Sequence, residues 1–466
     1  SIKFPSSSIS IARTESRREF CVKTKTMKRL LPILLCSLLL SGLRNATAQE
    51  ASKTWTLQEC LDYAYQNNIQ VRQSRNNQLS GIEDTKQAKA ALFPSLVAST
   101  TQSYTNYPSS EVTDNNSYTG TYGITAGMTI FEGGKLRTEV KRQKVQNQMD
   151  ALSVEESVND IRIAIVQAYM QCLYAADAVR INRSTAEASK AQRDRAEEML
   201  RTGSISRVDF AQLQSQYSSD EYQIVVAGST LDNYKLQLKQ LLELDIMEEM
   251  NPAVPGVKEE NVLKALPPKN EVYETALKVM PQIRRGELGI EAAKLEEKSA
   301  RAGFFPSISL SASVGTGHMS NNDFESGSQI WNRFNENVGL TLNIPIFSNR
   351  KNRTAVNKAK IALNDSYLEW TSLQKELLRN VESAYLDAVS AQAQYLSARE
   401  KEKYARESYE LTSEQFRVGV KNTVELITAQ NEYSAAQQQV LQAKYLTLLS
   451  IELLNIYQGL PASDIY

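Results

Sequence analysis

One histidine, His318, and four cysteines stand in 466 residues. A lone imidazole without a Cys or carboxylate cluster beside it cannot build a zinc-type metal centre. No Gly-rich phosphate loop follows a strand pattern, and no Gly-x-Ser-x-Gly elbow occurs. Nucleotide chemistry and serine-hydrolase chemistry therefore have no residues to stand on. Carboxylates are plentiful, but on helix faces they read as solvated charge, so no catalytic constellation, cofactor or enzyme activity is expected. Charge of one sign is also missing, with 53 Lys and Arg against 53 Asp and Glu. The apolar stretch Leu30 to Leu43 is too short to span a membrane as a helix. It follows Met27-Lys28-Arg29 and precedes Ala46-Thr47-Ala48. A basic start, a short apolar run and an Ala-x-Ala ending predict a cleavable secretory signal.

Residues 1–48 are accordingly assigned to an upstream segment and signal peptide, with the natural start expected at Met27. Without their nine basic and two acidic residues, the rest carries 44 basic and 51 acidic side chains, a net of −7. That balance argues against nucleic acid as a partner. Cys21 and Cys36 leave with the leader. Cys60 and Cys172 remain, each in a predicted helix, and two thiols are not a disulfide framework. They read as small buried residues. No cysteine stands where the mature chain would begin, so a lipid-anchored start is not expected.

What the sequence does have is itself, twice. Ala91-Leu92-Phe93-Pro94-Ser95-Leu96 returns as Gly303-Phe304-Phe305-Pro306-Ser307-Ile308, and Met128-Thr129-Ile130-Phe131 returns as Ile344-Pro345-Ile346-Phe347. Arg201-Thr202-Gly203 with Val208-Asp209 returns as Arg417-Val418-Gly419 with Val424-Glu425. This is a tandem duplication with a period far beyond that of a solenoid. The first repeat is placed at 49–245, a Pro- and Gly-rich connector at 246–269, the second repeat at 270–456 and a tail at 457–466. Each copy reads as a helix, two strands, then two very long helices reversing at a Gly. Such a unit cannot bury its faces alone and calls for copies around an axis.

Thr56 to Ala90 reads as the first helix, stopped before Phe93-Pro94. Alternation then marks strands. Tyr122, Ile124, Ala126, Met128 and Ile130 oppose Gly123, Thr125, Gly127 and Thr129. Leu310, Ala312 and Val314 oppose Ser309, Ser311 and Ser313, while Val338, Leu340, Leu342 and Ile344 oppose Gly339, Thr341 and Asn343. An Ile/Leu face against a Gly/Ser/Thr face suits a soluble sheet or a membrane barrel with lipid outside and water inside. Four strands cannot close a useful barrel, whereas three chains supply twelve. Tyr104, Tyr107, Tyr118, Phe131, Trp331, Phe334 and Phe347 cluster at strand ends, as interfacial girdles do, though aromatics at strand ends are common anyway. Polar loops near Pro108-Ser109-Ser110 and Ser320-Asn321-Asn322-Asp323 join the strands.

Gly133-Gly134 opens a helix expected to run unbroken to Arg201, about 65 residues or ~100 Å. Val154, Val158, Ile161, Ile165, Ala168, Cys172, Ala175 and Val179 form its heptad seam. Charges such as Arg193-Asp194-Arg195 exclude a membrane span, so these helices are water-borne and packed on one another. Gly203 and Gly419 reverse the chain, and just beyond them stand Asp209 and Glu425. Acids in a first helical turn suit the macrodipole and need no further role. In a trimer, however, each inward carboxylate becomes a ring of three, which binds cations in a narrow pore. Phe416 and Lys421 flank the second turn and are placed to make interhelical contacts.

The duplicated Phe-Pro-Ser-Leu and Phe-Pro-Ser-Ile strand entries, the Met-Thr-Ile-Phe-Glu-Gly-Gly and Ile-Pro-Ile-Phe-Ser exits, and the paired turns through Asp209 and Glu425 resemble the TolC family of outer-membrane channels, from about Thr54 to Leu460. The resemblance implies a mainly α fold with a β-barrel part. Long coiled-coil hairpins and four transmembrane strands per chain would complete a twelve-stranded barrel and a helical tunnel as a homotrimer. It also implies an outer-membrane exit duct of a tripartite efflux pump or type I secretion system, its tunnel in the periplasm. A periplasmic adaptor would dock near Gly203 and Gly419, and an inner-membrane RND-type or ABC transporter would drive transport. By position, Glu425 looks like the family's acidic ring, with Asp209 in the first copy, and Phe416 and Lys421 like its gate links. Thr428 stands where a second acid is expected, and Phe416 where a tyrosine is; Phe cannot donate a hydrogen bond. Against this stand a secreted periplasmic coiled-coil scaffold, whose strands would form a small soluble sheet, and a surface-binding protein using the polar loops.

Overall fold

The computed structural model describes residues 54–106, 116–245, 247–254, 259–320 and 325–461. The leader, most of the two polar loops and Tyr107 lie outside them, as do Pro255 and Gly256 of the connector.

The duplication is written in element lengths. The first copy has helices α1 (Leu57–Asn67, 11 residues), α2 (Ile69–Ala90, 22), α3 (Lys135–Arg201, 67) and α4 (Arg207–Leu241, 35). After a four-residue helix α5 (Glu259–Val262), the second copy repeats them as α6 (Lys269–Val279, 11), α7 (Pro281–Ala302, 22), α9 (Lys351–Arg417, 67) and α10 (Thr423–Tyr457, 35). The short α8 (Ser326–Asn332) sits between two strands. Strands β1 (Thr54–Trp55) and β4 (Asn251–Pro252) pair in parallel. β2 (Ser95–Asn106), β3 (Asn116–Glu132), β5 (Ser307–Met319) and β6 (Asn335–Asn343) form an antiparallel sheet in the order β2-β3-β5-β6.

The first helix is not continuous, contrary to the sequence reading. Asn68 interrupts it: its side-chain oxygen accepts from the Gln70 amide at 2.9 Å, which caps α2. Its amide nitrogen donates to the Leu241 carbonyl at 2.9 Å, at the far end of α4. One buried side chain thus closes the start of one helix and the end of another, and α2 continues the line of α4. The second copy makes the same junction with other chemistry. Pro281 opens α7, and Gly459, with φ of 70°, lies so close to Val279 that an added Cβ would be 2.4 Å from it. Only glycine fits there.

Four helical columns result. α3 packs against α2 and α4 on one side and against α7 and α10 on the other, and α9 packs against α7 and α10. Each strand continues one column in the same order: β2 follows α2, β3 leads into α3, β5 follows α7, β6 leads into α9. The main core lies midway along α3, where Ile165, Tyr169, Cys172 and Leu173 meet Leu57, Cys60, Leu61 and Ala64 of α1 and Tyr445 and Leu448 of α10. The Tyr169 hydroxyl donates at 2.8 Å to the Ala253 carbonyl beside β4, tying the connector to this level. The seam read from the sequence is the inward one: Ile161, Ile165, Ala168, Cys172, Ala175 and Val179 are buried, and Val154 and Val158 half-buried. Both remaining cysteines are buried, and burial pushes the Cys172 thiol up to about 12, so it stays protonated.

Candidate functional site

Both long hairpins turn in the same way. α3 ends at Arg201 and α9 at Arg417; Gly203 and Gly419 follow with φ of 76° and 79°, and nothing lies within 4 Å of a Cβ added at either. The backbone, not crowding, demands glycine here. Each return helix then begins with a capping box. The Ser206 hydroxyl accepts from the Asp209 amide at 3.1 Å, and the Asp209 carboxylate faces the Ser206 amide and hydroxyl, the latter at 2.6 Å. Asn422 accepts from the Glu425 amide at 2.9 Å, and Glu425 accepts from the Asn422 amide at 3.1 Å. Ser-x-x-Asp and Asn-x-x-Glu are legible in the sequence as caps, and both candidate ring acids are first of all cap residues.

The structure brings most of the candidate residues together. Lys421 pairs with Glu425 and holds its carboxyl below the usual carboxylate range, with the Asn422 amide contributing next. Asp209 is held low by the Ser206 hydroxyl and then by nearby Thr423, which opens the second return helix, so the first turn's acid lies beside the second turn. Phe416 is buried with Ala196, Leu213 and Leu426, a small apolar cluster that joins the two hairpins within one chain. Thr428 is exposed, and its hydroxyl donates back to the Val424 carbonyl at 2.8 Å. Around the turns, Val208, Val418, Val420 and Val424 stand exposed.

At the opposite end of the columns is the sheet. Directly paired residues share a face, and the pairs Leu96–Ala126, Ile124–Val314, Met128–Leu310 and Leu310–Leu340 place the apolar residues of all four strands on one side. That side is open: Leu96 is 73% exposed, Val338 77% and Leu340 68%. The other side runs Ser99–Gly123–Gly315 and Thr125–Ser313–Asn337. A bulge between Thr129 and Phe131 drops Ile130 from the pairing, so Phe131, not Ile130, lies opposite Ile308. His318 lies on β5, on the apolar side, with its ring 5.6 Å from Tyr118 and 6.0 Å from Tyr122. Gln102 links those tyrosines, accepting from Tyr118 at 2.7 Å and donating to Tyr122 at 3.0 Å. This end of the apolar face is thus a bonded band of aromatics. At the helix-proximal end Phe93, Phe304, Phe305 and Phe347 are exposed. Among the described residues no His, Cys, Asp and Glu group able to hold a metal ion occurs.

The sequence reading missed one surface. On α9, Ile361, Leu368, Val389 and Leu396 stand whole heptads apart and are exposed, and on α4 so do Val208, Tyr222 and Leu236. These second seams belong to the two outermost columns. Their spacing was there to be found, since it is the same heptad as the buried seam displaced around the helix.

Comparison with known proteins agrees with this geometry. The chain is 23% identical over 435 residues to the outer membrane efflux protein BepC of Brucella suis biovar 1, covering 93% of this chain and 91% of that one. It is 22% identical over 442 residues to the outer membrane protein TolC of Escherichia coli K12, covering 93% and 86%. Among solved structures it superposes on CusC, described as forming a transmembrane channel, with a TM-score of 0.75 at 18% identity over 87% of this chain and 92% of that one. The sequence profile of the outer membrane efflux proteins matches residues 60–243 and 272–457, one block for each half of the duplication, and the chain belongs to that family.

Proposed function

We propose that three copies of this chain form a passive exit duct in the outer membrane, with the sheet as one third of a twelve-stranded barrel and the helices as one third of a periplasmic tunnel. The observation that carries this reading is the open apolar face of the four-stranded sheet. Water-exposed Leu96, Ile124, Leu310, Val338, Leu340 and Leu342 form one continuous patch. At about 1 kcal/mol for each half-exposed side chain, hiding it from water gains roughly 6 kcal/mol per chain. An aromatic band at each end and a hydroxyl-lined reverse face are what a lipid-facing wall requires. β2 and β6 keep open edges, and an open edge inside a bilayer is untenable unless another strand pairs with it. The β2 edge of one copy meets the β6 edge of the next.

The turns at Gly203 and Gly419 then lie at the periplasmic end. There Glu425 and Asp209 are proposed to ring the passage, with Lys421 and Phe416 holding the hairpins and Thr428 leaving the second ring uncharged. The exposed valines around both turns are proposed to receive a periplasmic adaptor, which links the duct to an inner-membrane RND-type or ABC transporter. Energy comes from that transporter, and this chain contributes a path rather than a reaction. The test is whether the purified protein, extracted from membranes with detergent, is a trimer that conducts ions in planar bilayers. A stable monomer in detergent-free buffer overturns the reading.

A further inference from the structure

Asp220 lies on α4 about 16 Å above Asp209, counting 1.5 Å per residue, in a polar layer to which all four columns contribute. It is 8% exposed. Its carboxylate accepts from Gln216 of its own helix at 3.0 Å and from Gln430 of α10 at 3.2 Å, and Ser189 of α3, whose hydroxyl donates to the Ala186 carbonyl at 3.1 Å, lies beside it. Gln216 also donates to Asn431 of α10 at 3.1 Å. At the same level Gln192 of α3 donates to Tyr409 of α9 at 2.8 Å. Gln430 is 2% exposed, and its amide oxygen has no hydrogen-bond partner. A cleft of about 490 Å³, lined by Asn182, Gln216, Asp220, Asn431 and Gln438, opens the layer to water.

We infer that Asp220 is a proton-controlled interlock between the two hairpins, fastening them when protonated and easing them apart when ionised. Ionised, the group can only accept hydrogen bonds, and among the described residues no cation forms an ion pair with its charge. Protonated, it sheds the charge and gains an O–H that can donate to the amide oxygen of Gln430 once that amide turns over. Burial pushes the Asp220 carboxyl above the ordinary range, against the pull of Ser189 and Gln216. A carboxyl whose pKa is higher when packed favours packing when protonated, so the contact is tightest in acid and loosens as pH rises through the raised value. The charged neighbours have partners of their own. On α3, Arg193 pairs with Asp194 at 2.7 Å and covers the Tyr217 ring, and Tyr217 donates to Glu221 on α4. On α9, burial keeps Tyr409 above the ordinary phenol range, and Arg406 reaches Tyr433 of α10.

The inference rests on the duct reading for its role in gating, but the contact is measurable without a channel. Full-length protein in detergent, wild type and Asp220→Asn, is compared by deuterium uptake of residues 423–436 at equal pD. The amide mimics the protonated acid. At pD 8 the variant is expected to exchange more slowly by about threefold or more, and at pD 4 the gap should narrow, because a carboxyl raised above its ordinary value of about 3.9 is mostly protonated there. Equal uptake at both values, or faster exchange in the variant at pD 8, overturns the inference. Should the variant not fold, wild-type uptake of 423–436 relative to that of 365–376 decides: the ratio must rise between pD 4 and pD 8, and a constant ratio overturns the interlock. In planar bilayers the closed-state conductance should rise with pH in the wild type and stay flat in the variant. A conducting but pH-insensitive wild type sinks the interlock alone; absence of any conductance counts against the duct, while the exchange result still judges the interlock.

Discussion

Leu340 and Thr341 are neighbours on β6 that point to opposite sides of the sheet: Leu340 pairs with Leu310 on the apolar face, and Thr341 with Ser309 on the other. Replacing each in turn by lysine places the same charge at nearly the same depth on the two sides. If the apolar side touches hydrocarbon, Leu340→Lys sets an ammonium near the midplane and costs about 2–4 kcal/mol per chain, or ~6–12 kcal/mol per trimer. Thr341→Lys faces water and should stay within about 0.5 kcal/mol. The assay is urea unfolding in phosphocholine vesicles together with the heat resistance of the trimer band on gels. Leu340→Lys should lower the unfolding midpoint and the band's melting temperature, with Thr341→Lys close to wild type. Equal costs, or a larger cost at Thr341, would mean that the assignment of faces is wrong. Small costs at both would mean that neither side meets lipid.

Other outcomes follow from the junctions and turns. Asn68→Ala removes a helix cap worth about 1 kcal/mol and leaves the Leu241 carbonyl without its donor, for a total of about 2–3 kcal/mol in thermal or urea unfolding; a loss below about 0.5 kcal/mol would show that α2 and α4 do not depend on this residue. Lys421→Ala releases Glu425 from its ion pair but keeps the Asn422 cap, so helix content should hold while closed-state conductance rises; an unchanged conductance takes Lys421 out of the gate. Leu396→Glu puts charge on a seam left exposed among the described residues, so light scattering should find folded monomers in detergent; an intact trimer would place the subunit contact elsewhere. The depressed pKa of Asp209 contributes stability above its unfolded value near 3.9 and loses it as pH falls through the lower folded value. The contact between the two turns should therefore loosen only below about pH 4, and Asp209→Asn should remove that acid step from exchange of residues 206–213.

Much of this was legible in the chain, for local reasons. Gly203 and Gly419 mark reversals because few residues accept positive φ, and the alternation in Tyr122–Thr129 and Val338–Asn343 fixes faces because strand side chains alternate. The break at Asn68 was not legible. Apolar periodicity runs across it, and the group that stabilises the break, the Leu241 carbonyl, lies 173 residues away. Nor did alternation mark the outer half of β3, where Ser117, Thr119 and Thr121 face away from Tyr118 and Tyr122 without a clear apolar partner series. The second seam of α9 was overlooked because Ile361 and Leu368 are as apolar as Leu373 and Leu377. Sequence tells that a helix has two stripes, and only packing tells which is satisfied inside the chain. Asp209 and Glu425 show the converse: their caps are written locally, in Ser206 and Asn422 three residues upstream.

The two open edges bear on how many copies close the assembly. The β2 edge and the α2–α4 column lie on one side, and the β6 edge and α9 on the other, because each strand runs on into its own column. A contact between unlike edges is heterologous, and such contacts either close into a ring or continue as a filament. In the proposed duct strands and columns both number four per chain, so its barrel and tunnel would have to close at the same copy number. One rotation therefore has to satisfy strand pairing at one end and heptad packing at the other. Tyr222 and Leu236 on one edge and Val389 and Leu396 on the other are exposed, and in the proposed ring they would supply a seam that holds that rotation while the strands pair. A change at either end should then weaken the other: Leu396→Glu, tens of ångströms from lipid, is expected to abolish the heat-resistant barrel as surely as a charge on the sheet, and survival of that barrel would show that the two ends close independently.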